Sequence, residues 1–154
     1  FAQLDGGAIS MSSVSVAWIQ SSVFSRCKAG HLGGCLSIDS GSFFLKLLSF
    51  TACESRSSGG GLHACDVVYG EINAATFVDN VADISGGGMY LVNSKVRLND
   101  IACTGNSALS GGGGALFSRG EAQTFFELQD ITNYTAGNSL LSALSGLICR
   151  KRNS

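Results

Sequence analysis

A short glycine-rich motif recurs at a nearly constant interval along this chain of 154 residues, and it constrains the fold more than any other feature. Each copy places two glycines and one small residue before an apolar residue, and these apolar residues step by 27, 26, 27 and 27 positions. Such a period indicates a solenoid of stacked units and not a set of unrelated loops. The five copies are Gly6-Gly7-Ala8-Ile9, Gly33-Gly34-Cys35-Leu36, Gly59-Gly60-Gly61-Leu62, Gly86-Gly87-Gly88-Met89 and Gly113-Gly114-Ala115-Leu116.

A second motif keeps the same interval and lies just before the next glycine cluster. Its last residues step by 26, 27 and 26 positions. Between the two motifs, apolar and polar residues alternate, as at Phe43 and Leu45 or at Val96 and Leu98, which is the period of a β-strand. The four copies are Phe24-Ser25-Arg26-Cys27, Phe50-Thr51-Ala52-Cys53, Phe77-Val78-Asp79-Asn80 and Cys103-Thr104-Gly105-Asn106.

Each unit is therefore predicted to contain roughly three short strands separated by turns. A unit of this kind cannot bury its apolar face alone, but stacking places equivalent residues ~4.8 Å apart and joins the coils by backbone hydrogen bonds. The sequence predicts an all-β parallel β-helix of about five coils over residues 1–138, with 26–27 residues per coil. One interior column is expected to contain Ile9, Leu36, Leu62, Met89 and Leu116, and another Trp18 or Ile19, Leu45, Ile72 and Leu98.

The glycines are interpreted as corners of the coil. Some positions in a sharp turn require a positive φ, and a residue packed beneath a tight corner leaves no room for a Cβ atom. A flexible glycine–serine linker is the alternative, but it has no reason to keep a constant period. The corner positions are Gly7, Gly34, Gly60, Gly87 and Gly113.

The last residues of the second motif form a column of their own, which is Cys27, Cys53, Asn80 and Asn106. Asparagines stacked at a turn can bond one another's amides and form a ladder, so this column is interpreted as structural. Cys27 and Cys53 lie on adjacent coils, and that spacing suits either a disulfide or two stacked free thiols. Three of the other four cysteines, at 35, 65 and 103, fall in different phases of the repeat and are interpreted as small buried residues that do not pair with one another.

The repeat changes towards the C-terminus. Extra residues within 119–135 are expected to form surface loops, and Asn133-Tyr134-Thr135 is a candidate glycosylation triplet. Apolar residues at 140, 141, 144, 147 and 148 follow helical spacing, so residues 139–154 are predicted to form a cap consisting of a short amphipathic helix near 139–151 and a basic tail. The competing interpretation is a sixth, degenerate coil.

No catalytic constellation is evident in the sequence. Asp39 and Asp66 are carboxylate candidates because they step by 27 residues and could lie one coil apart, at a separation seen in retaining glycosidases. Turns favour Asp and Asn for backbone reasons alone, which is the structural alternative. His63 is expected to face outward. We predict no metal site and no cofactor.

Composition narrows the class of protein. The net charge is −1, which gives no reason to expect nucleic acid as a partner, and no apolar run approaches the length of a transmembrane segment. Six cysteines favour a secreted protein or an organelle lumen. Because the chain begins with Phe1, we interpret it as a processed or excised piece of a longer polypeptide.

The two motifs together resemble the β-helix repeats of polymorphic-outer-membrane-protein type, which pair GG[AGS][ILV] with FxxN. The resemblance covers residues 5–116 and extends less clearly to 139. It implies a right-handed parallel β-helix that serves in adhesion or structural display and not in catalysis. This chain departs from the pattern where Cys27 and Cys53 replace asparagine and where Cys103 replaces phenylalanine.

The expected function is therefore a non-enzymatic structural, adhesive or scaffold module at a cell surface or outside the cell. A short stack of coils has sheet edges at both ends, and natural solenoids cover such edges. We expect other subunits or further coils of the same chain at the N-terminal end of the stack. The alternative is a carbohydrate-binding or polysaccharide-degrading protein in which Asp39, Asp66 and a nearby aromatic such as Tyr69 face a groove.

Overall fold

The computed structural model describes residues 1–119, 123–127, 131–132 and 147–150. Over these residues the chain is all-β, and all strand pairs are parallel. The strands are β1 Ile9–Ser25, β2 Lys28–Ala29, β3 Leu36–Thr51, β4 Glu54–Ser55, β5 Leu62–Val78, β6 Val81–Ala82, β7 Met89–Val92, β8 Lys95–Thr104, β9 Ser107–Ala108, β10 Leu116–Arg119, β11 Gln123–Glu127, β12 Ile131–Thr132 and β13 Leu147–Arg150.

Each of the first three turns consists of one long strand and one strand of two residues. The long strands β1, β3 and β5 have 17, 16 and 17 residues, and the fourth turn divides the same path into β7 and β8. The long strands form one sheet with strands of the later turns, and β2, β4, β6 and β9 form a second sheet. The predicted stack of parallel coils is confirmed, with about four turns where about five were predicted. Strands β10, β11 and β12 pair with the fourth turn and form the described part of a fifth coil.

The long strands bend at residues in the left-handed conformation, so the three short strands predicted per unit are segments of one bent strand. A left-handed backbone conformation costs an L-amino acid roughly 1–2 kcal/mol. Here the backbone hydrogen bonds to neighbouring coils hold these residues in that conformation. Two corner rows lie along the path of the long strands: Ser13, Ser40, Asp66 and Asn93; and Ser21, Leu47, Ala74 and Asp100. A third row directly follows the strand ends: Arg26, Ala52, Asp79 and Gly105.

The glycine motif forms the fourth corner, and its two glycines have different roles. Gly86 has a φ of 65°, whereas Gly87 lies where a Cβ atom would meet the backbone oxygens of Gly114 and Ser107. Gly113 has a φ of 73° and belongs to the first kind, so grouping it with Gly87 from the sequence was wrong by one residue. The positive-φ row is Gly6, Gly33, Gly59, Gly86 and Gly113, and the close-packed row is Gly7, Gly34, Gly60 and Gly87.

The core is a set of residue columns that run along the stack. The register joins Ile9, Leu36, Leu62, Met89 and Leu116 in one column, as predicted. The second column contains Ile19, Leu45, Ile72 and Leu98, while Trp18 faces outward and is 74% exposed. Three buried phenylalanine rings form a further column, with centroids 5.0 Å apart from Phe24 to Phe50 and 4.7 Å apart from Phe50 to Phe77.

The fifth coil contains the insertions. Leu116 lies 27 positions after its pairing partner Met89. Gln123 lies 28 positions after Lys95, and Ile131 lies 30 positions after Ile101. One residue is therefore inserted between β10 and β11, and two between β11 and β12. Most of the residues expected to form loops, including Asn133, lie outside the described residues.

The C-terminal prediction is wrong for the residues that the structure describes. Leu147–Arg150 form β13, which pairs in parallel with Thr124–Glu127 of β11, 23 residues earlier, in place of the predicted helix. This pairing agrees with the competing interpretation, a shortened sixth coil. The rest of 139–154 lies outside the described residues. No helix in the described ranges is long and apolar enough to cross a membrane.

Candidate functional site

The asparagine column is a saturated hydrogen-bond ladder. The Nδ2 group of Asn80 donates to Asn106 Oδ1 at 2.8 Å and to the Phe50 carbonyl at 3.0 Å. Asn80 Oδ1 accepts from the Cys53 backbone N–H at 3.0 Å, and Asn106 Nδ2 donates to the Phe77 carbonyl at 2.8 Å. Asn80 is fully buried. These side chains satisfy backbone groups at a corner and leave little capacity for a ligand.

The column changes from amide to sulfur at its N-terminal end. Cys53 is bonded to Cys35, with Cα atoms 5.9 Å apart, and Cys27 is a free thiol whose pKa is raised mainly by burial. The candidate pair Cys27–Cys53 is therefore not the disulfide of this structure, and Cys35 is not merely a small buried residue. The period of the repeat could not predict this disulfide, because Cys35 and Cys53 lie at different corners of one coil.

The two carboxylate candidates lie close together but not in the predicted register. Asp39 pairs with Cys65, so Asp66 is displaced by one position. Oxygens of Asp39 and Asp66 and the sulfur of Cys65 nevertheless lie within 4.8 Å of one another. Cys65 donates to Asp66 Oδ2 at 3.3 Å, and Asn93 Nδ2 donates to Asp66 Oδ1 at 3.2 Å. Both oxygens of Asp66 are thus already used within an exposed turn.

The protonation of Cys65 fits this arrangement. Burial, followed by the hydrogen bond to Asp66, raises the pKa of Cys65 to about 11. The group is therefore a thiol at neutral pH and can donate to the carboxylate. Together with Asp39 the set offers one thiol and two carboxylates, which is one donor fewer than the four ligands of a structural zinc site.

His63 is buried, so the prediction that it faces outward is wrong. It is 5% exposed, its Nδ1 lies 3.3 Å from Ser37 Oγ, and its ring stacks on Tyr90 with centroids 5.8 Å apart. Burial lowers its pKa to about 4. Ser37 and His63 are equivalent residues of adjacent coils, so the period of the repeat accounts for their contact. Ser37 is only 3% exposed, so a substrate has no access to the pair.

The most distinctive surface is the outer edge of β1, which we call the N-terminal edge. β1 pairs with β3 on one side and is the terminal strand of the sheet on the other. Over its 17 residues β1 has no charged side chain and no proline, whereas β3 contains Asp39 and Lys46. Exposed edge strands usually carry charges, proline or bulges that prevent pairing with other strands. The N-terminal edge has neither charge nor proline, and its one irregularity is a bulge between Val14 and Ala17.

The hydrophobic core is open at the N-terminal edge. Ile9, Met11, Val14 and Ile19 are only partly buried, although Leu36, the partner of Ile9, is fully buried. The difference arises because each inward-facing residue of β3 has a coil on both sides, and each residue of β1 has a coil on one side. Burying this row would remove further apolar surface from water.

An aromatic ladder also ends at this edge. The rings of Trp18 and Phe44 are stacked with centroids 4.3 Å apart, and Tyr69 continues the row 5.7 Å from Phe44. One face of the indole is covered by Phe44, and Trp18 remains 74% exposed. Half of the large apolar side chains that are exposed in the described residues lie within the first 25 positions: Phe1, Leu4, Val16, Trp18 and Val23.

The chain matches no protein-family model, no curated protein and no solved structure.

Proposed function

We propose that this protein is a non-enzymatic structural module whose N-terminal edge binds another β-coil, so that it acts as a segment of a longer stack or assembly. The observation that carries the proposal is the uncharged, proline-free edge of β1, which adjoins an open hydrophobic core. An edge with both properties is a template for strand addition.

The partner that fits this edge is a parallel coil of the same repeat type. Such a coil would continue the backbone ladder along β1, as β3 does on the opposite side. Its inward apolar residues would cover Ile9 and Ile19, and an aromatic in the row of Phe44 would cover the free face of Trp18. The N-terminal edge therefore fits a β-strand with a row of inward-facing apolar residues, and not a small molecule.

The proposed compartment is extracellular or an organelle lumen. The Cys35–Cys53 disulfide supports this assignment, since disulfides persist in oxidising compartments and are rare in the cytosol. Adhesion or display at a surface is the role that we propose for the assembled stack.

The test is the self-association of the 154-residue chain. With the edge free, sedimentation velocity at increasing concentration should show association through β1. The double variant Val16→Lys/Val23→Lys, which places two charges on exposed positions of this strand, should remain monomeric. The matched control Val68→Lys/Leu109→Lys adds the same charge at similarly exposed positions away from the edge and should associate as wild type does. Monomeric wild-type protein at every concentration would contradict the proposal.

A polysaccharide-active or carbohydrate-binding site is a second candidate, favoured by the closeness of Asp39 and Asp66. The hydrogen bonds on both oxygens of Asp66 make it the weaker of the two functions. Incubation with plant and microbial polysaccharides should separate them: reducing ends released by the wild type and lost in Asp39→Asn and Asp66→Asn would establish the second candidate and replace the first.

A further inference from the structure

Three sulfur atoms converge where the first two coils meet. The Sγ atoms of Cys27, Cys35 and Cys53 all lie within 4.8 Å of one another. Two of them form the disulfide, Cys35 and Cys53 are both fully buried, and Cys27 is half-buried and free. A free thiol beside a disulfide is the arrangement that thiol–disulfide exchange requires.

Cys53 can be bonded to either neighbour without a change of backbone path. Its Cα lies 5.9 Å from that of Cys35. Cys27 and Cys53 precede the paired residues Lys28 and Glu54, and the Glu54 N–H donates to the Cys27 carbonyl at 2.9 Å. Cys27 and Cys53 therefore occupy neighbouring rungs, ~4.8 Å apart, which is within the Cα range of a disulfide.

We propose that Cys27, Cys35 and Cys53 form one thiol–disulfide exchange site, in which a single disulfide moves between Cys35–Cys53 and Cys27–Cys53. The Cys27 thiolate attacks Cys53 Sγ, the Cys27–Cys53 bond forms, and the Cys53–Cys35 bond breaks. Cys35 leaves as a thiolate and takes up a proton from solvent, which replaces the proton that Cys27 released. One disulfide and one thiol are present before and after, so no external oxidant or reductant is needed.

The two pairings link different parts of the fold. Cys35–Cys53 joins the two ends of β3 and closes the second coil on itself, with a sequence separation of 18 residues. Cys27–Cys53 joins the first coil to the second. Exchange therefore transfers the covalent link to the coil that forms the N-terminal edge. This inference is independent of the proposed function, because it concerns bonds within one chain.

Disulfide mapping tests the exchange site in the full chain. Trypsin separates the three cysteines, because Lys28 and Lys46 lie between them, so each pairing gives a distinct linked peptide. The wild type, Cys27→Ser and Cys35→Ser are equilibrated in a glutathione buffer, quenched with acid, alkylated after unfolding and digested. Cys65→Ser is the matched control, since Cys65 lies outside the cluster.

In the wild type and in Cys65→Ser we expect both linked peptides, and in Cys27→Ser only Cys35–Cys53. In Cys35→Ser we expect Cys27–Cys53, with loss of alkylation at Cys27. Cys103 is buried, so its protection from alkylation under native conditions shows that a variant is folded. Alkylation of both Cys27 and Cys53 in folded Cys35→Ser overturns the proposal. If that variant does not fold, absence of the Cys27–Cys53 peptide from the wild type overturns it.

Discussion

At the scale of single residues, the coil is shaped by backbone positions that most side chains disfavour. At three of its four corners, residues as different as Ser40, Leu47 and Asp79 adopt the left-handed conformation. Only the fourth corner uses glycine in every coil. The glycines are needed there because the second member of each pair packs against the backbone of the next coil, as Gly60 does against Gly87.

This difference predicts a large loss of stability for one exchange of glycine and alanine and a small change for the other. Gly60→Ala should lower the free energy of unfolding by about 1–3 kcal/mol, because the new Cβ would overlap the backbone oxygens of Gly87 and Val81 and the coils would have to separate. Ala74→Gly, at a corner with a φ of 55°, should change it by less than about 1 kcal/mol, since relief of left-handed strain offsets the greater freedom of the unfolded chain. Urea unfolding of both variants measures this, and equal losses would contradict the role given to Gly60.

His63 predicts a pH dependence of stability. Its pKa is about 4 in the folded chain against an ordinary value of 6.5, because burial disfavours the charged imidazole. As the pH falls from 6.5 to 4, the unfolded chain takes up a proton that the native chain does not, so His63 should lower the free energy of unfolding by about 3 kcal/mol over this range.

The control for this prediction is His63→Phe, which keeps an aromatic ring beside Tyr90. All other side chains are the same in both proteins, so the difference between their stability curves isolates His63. Urea unfolding should show the difference increasing between pH 6.5 and 4 and levelling off below it. Parallel curves for the two proteins would mean that the His63 pKa is not lowered on folding.

At the scale of strands and coils, the period of the motif was sufficient to predict the architecture. Steps of 26 and 27 residues between apolar positions correspond directly to the pairing of Ile9, Leu36, Leu62 and Met89. A solenoid allows this inference because its contacts join equivalent residues of adjacent units. The asparagine column followed from the same reasoning, and its amides occupy neighbouring rungs.

Contacts between residues at non-equivalent positions of the repeat unit could not be predicted from its period. Cys35 and Cys53 differ in phase, yet both lie inside one coil and bond across it. Asp39 is paired with Cys65, one position from the alignment expected with Asp66, because the steps alternate between 26 and 27. The left-handed corners could be read only in part: Asp66, Asn93 and Asp79 are of types that adopt this conformation, whereas serine, leucine and alanine carry no signature of it.

The C-terminal strand shows the limit of periodicity. Leucines at 140, 141, 144 and 147 satisfy helical spacing, but Leu147 and Ile148 continue the sheet by pairing with Thr124 and Phe125. An existing strand edge offers backbone hydrogen bonds that an isolated short helix cannot match. Tertiary pairing therefore decides the structure of these residues.

At the scale of the whole molecule, the contrast between the middle coils and the N-terminal edge points to assembly. The middle coils are closed on both sides, with fully buried columns. The first coil has the same inward row, only partly covered, and the least charged long strand. A solenoid gains stability from each interface between neighbouring coils, so one further coil at this edge should stabilise the molecule.

The chain contains a convenient reporter of that edge. Trp18 is its only tryptophan and lies on β1 with one ring face covered by Phe44. Because Ala2 pairs with Ala29 and Ala29 with Ser55, a copy of residues 29–54 placed directly before Ala2 would add one coil in register. Its phenylalanine equivalent to Phe44 would lie over the free face of Trp18.

Acrylamide quenching of Trp18 in this extended chain, with the two added cysteines replaced by serine, tests the central claim most directly. If the N-terminal edge accepts a parallel coil, Trp18 should be protected from quenching and its emission should shift to shorter wavelength relative to the 154-residue chain at a concentration where that chain is monomeric. The same extension with lysine at the added position equivalent to Leu45 should lose the protection. Equal quenching of Trp18 in the extended and parent chains would contradict the account.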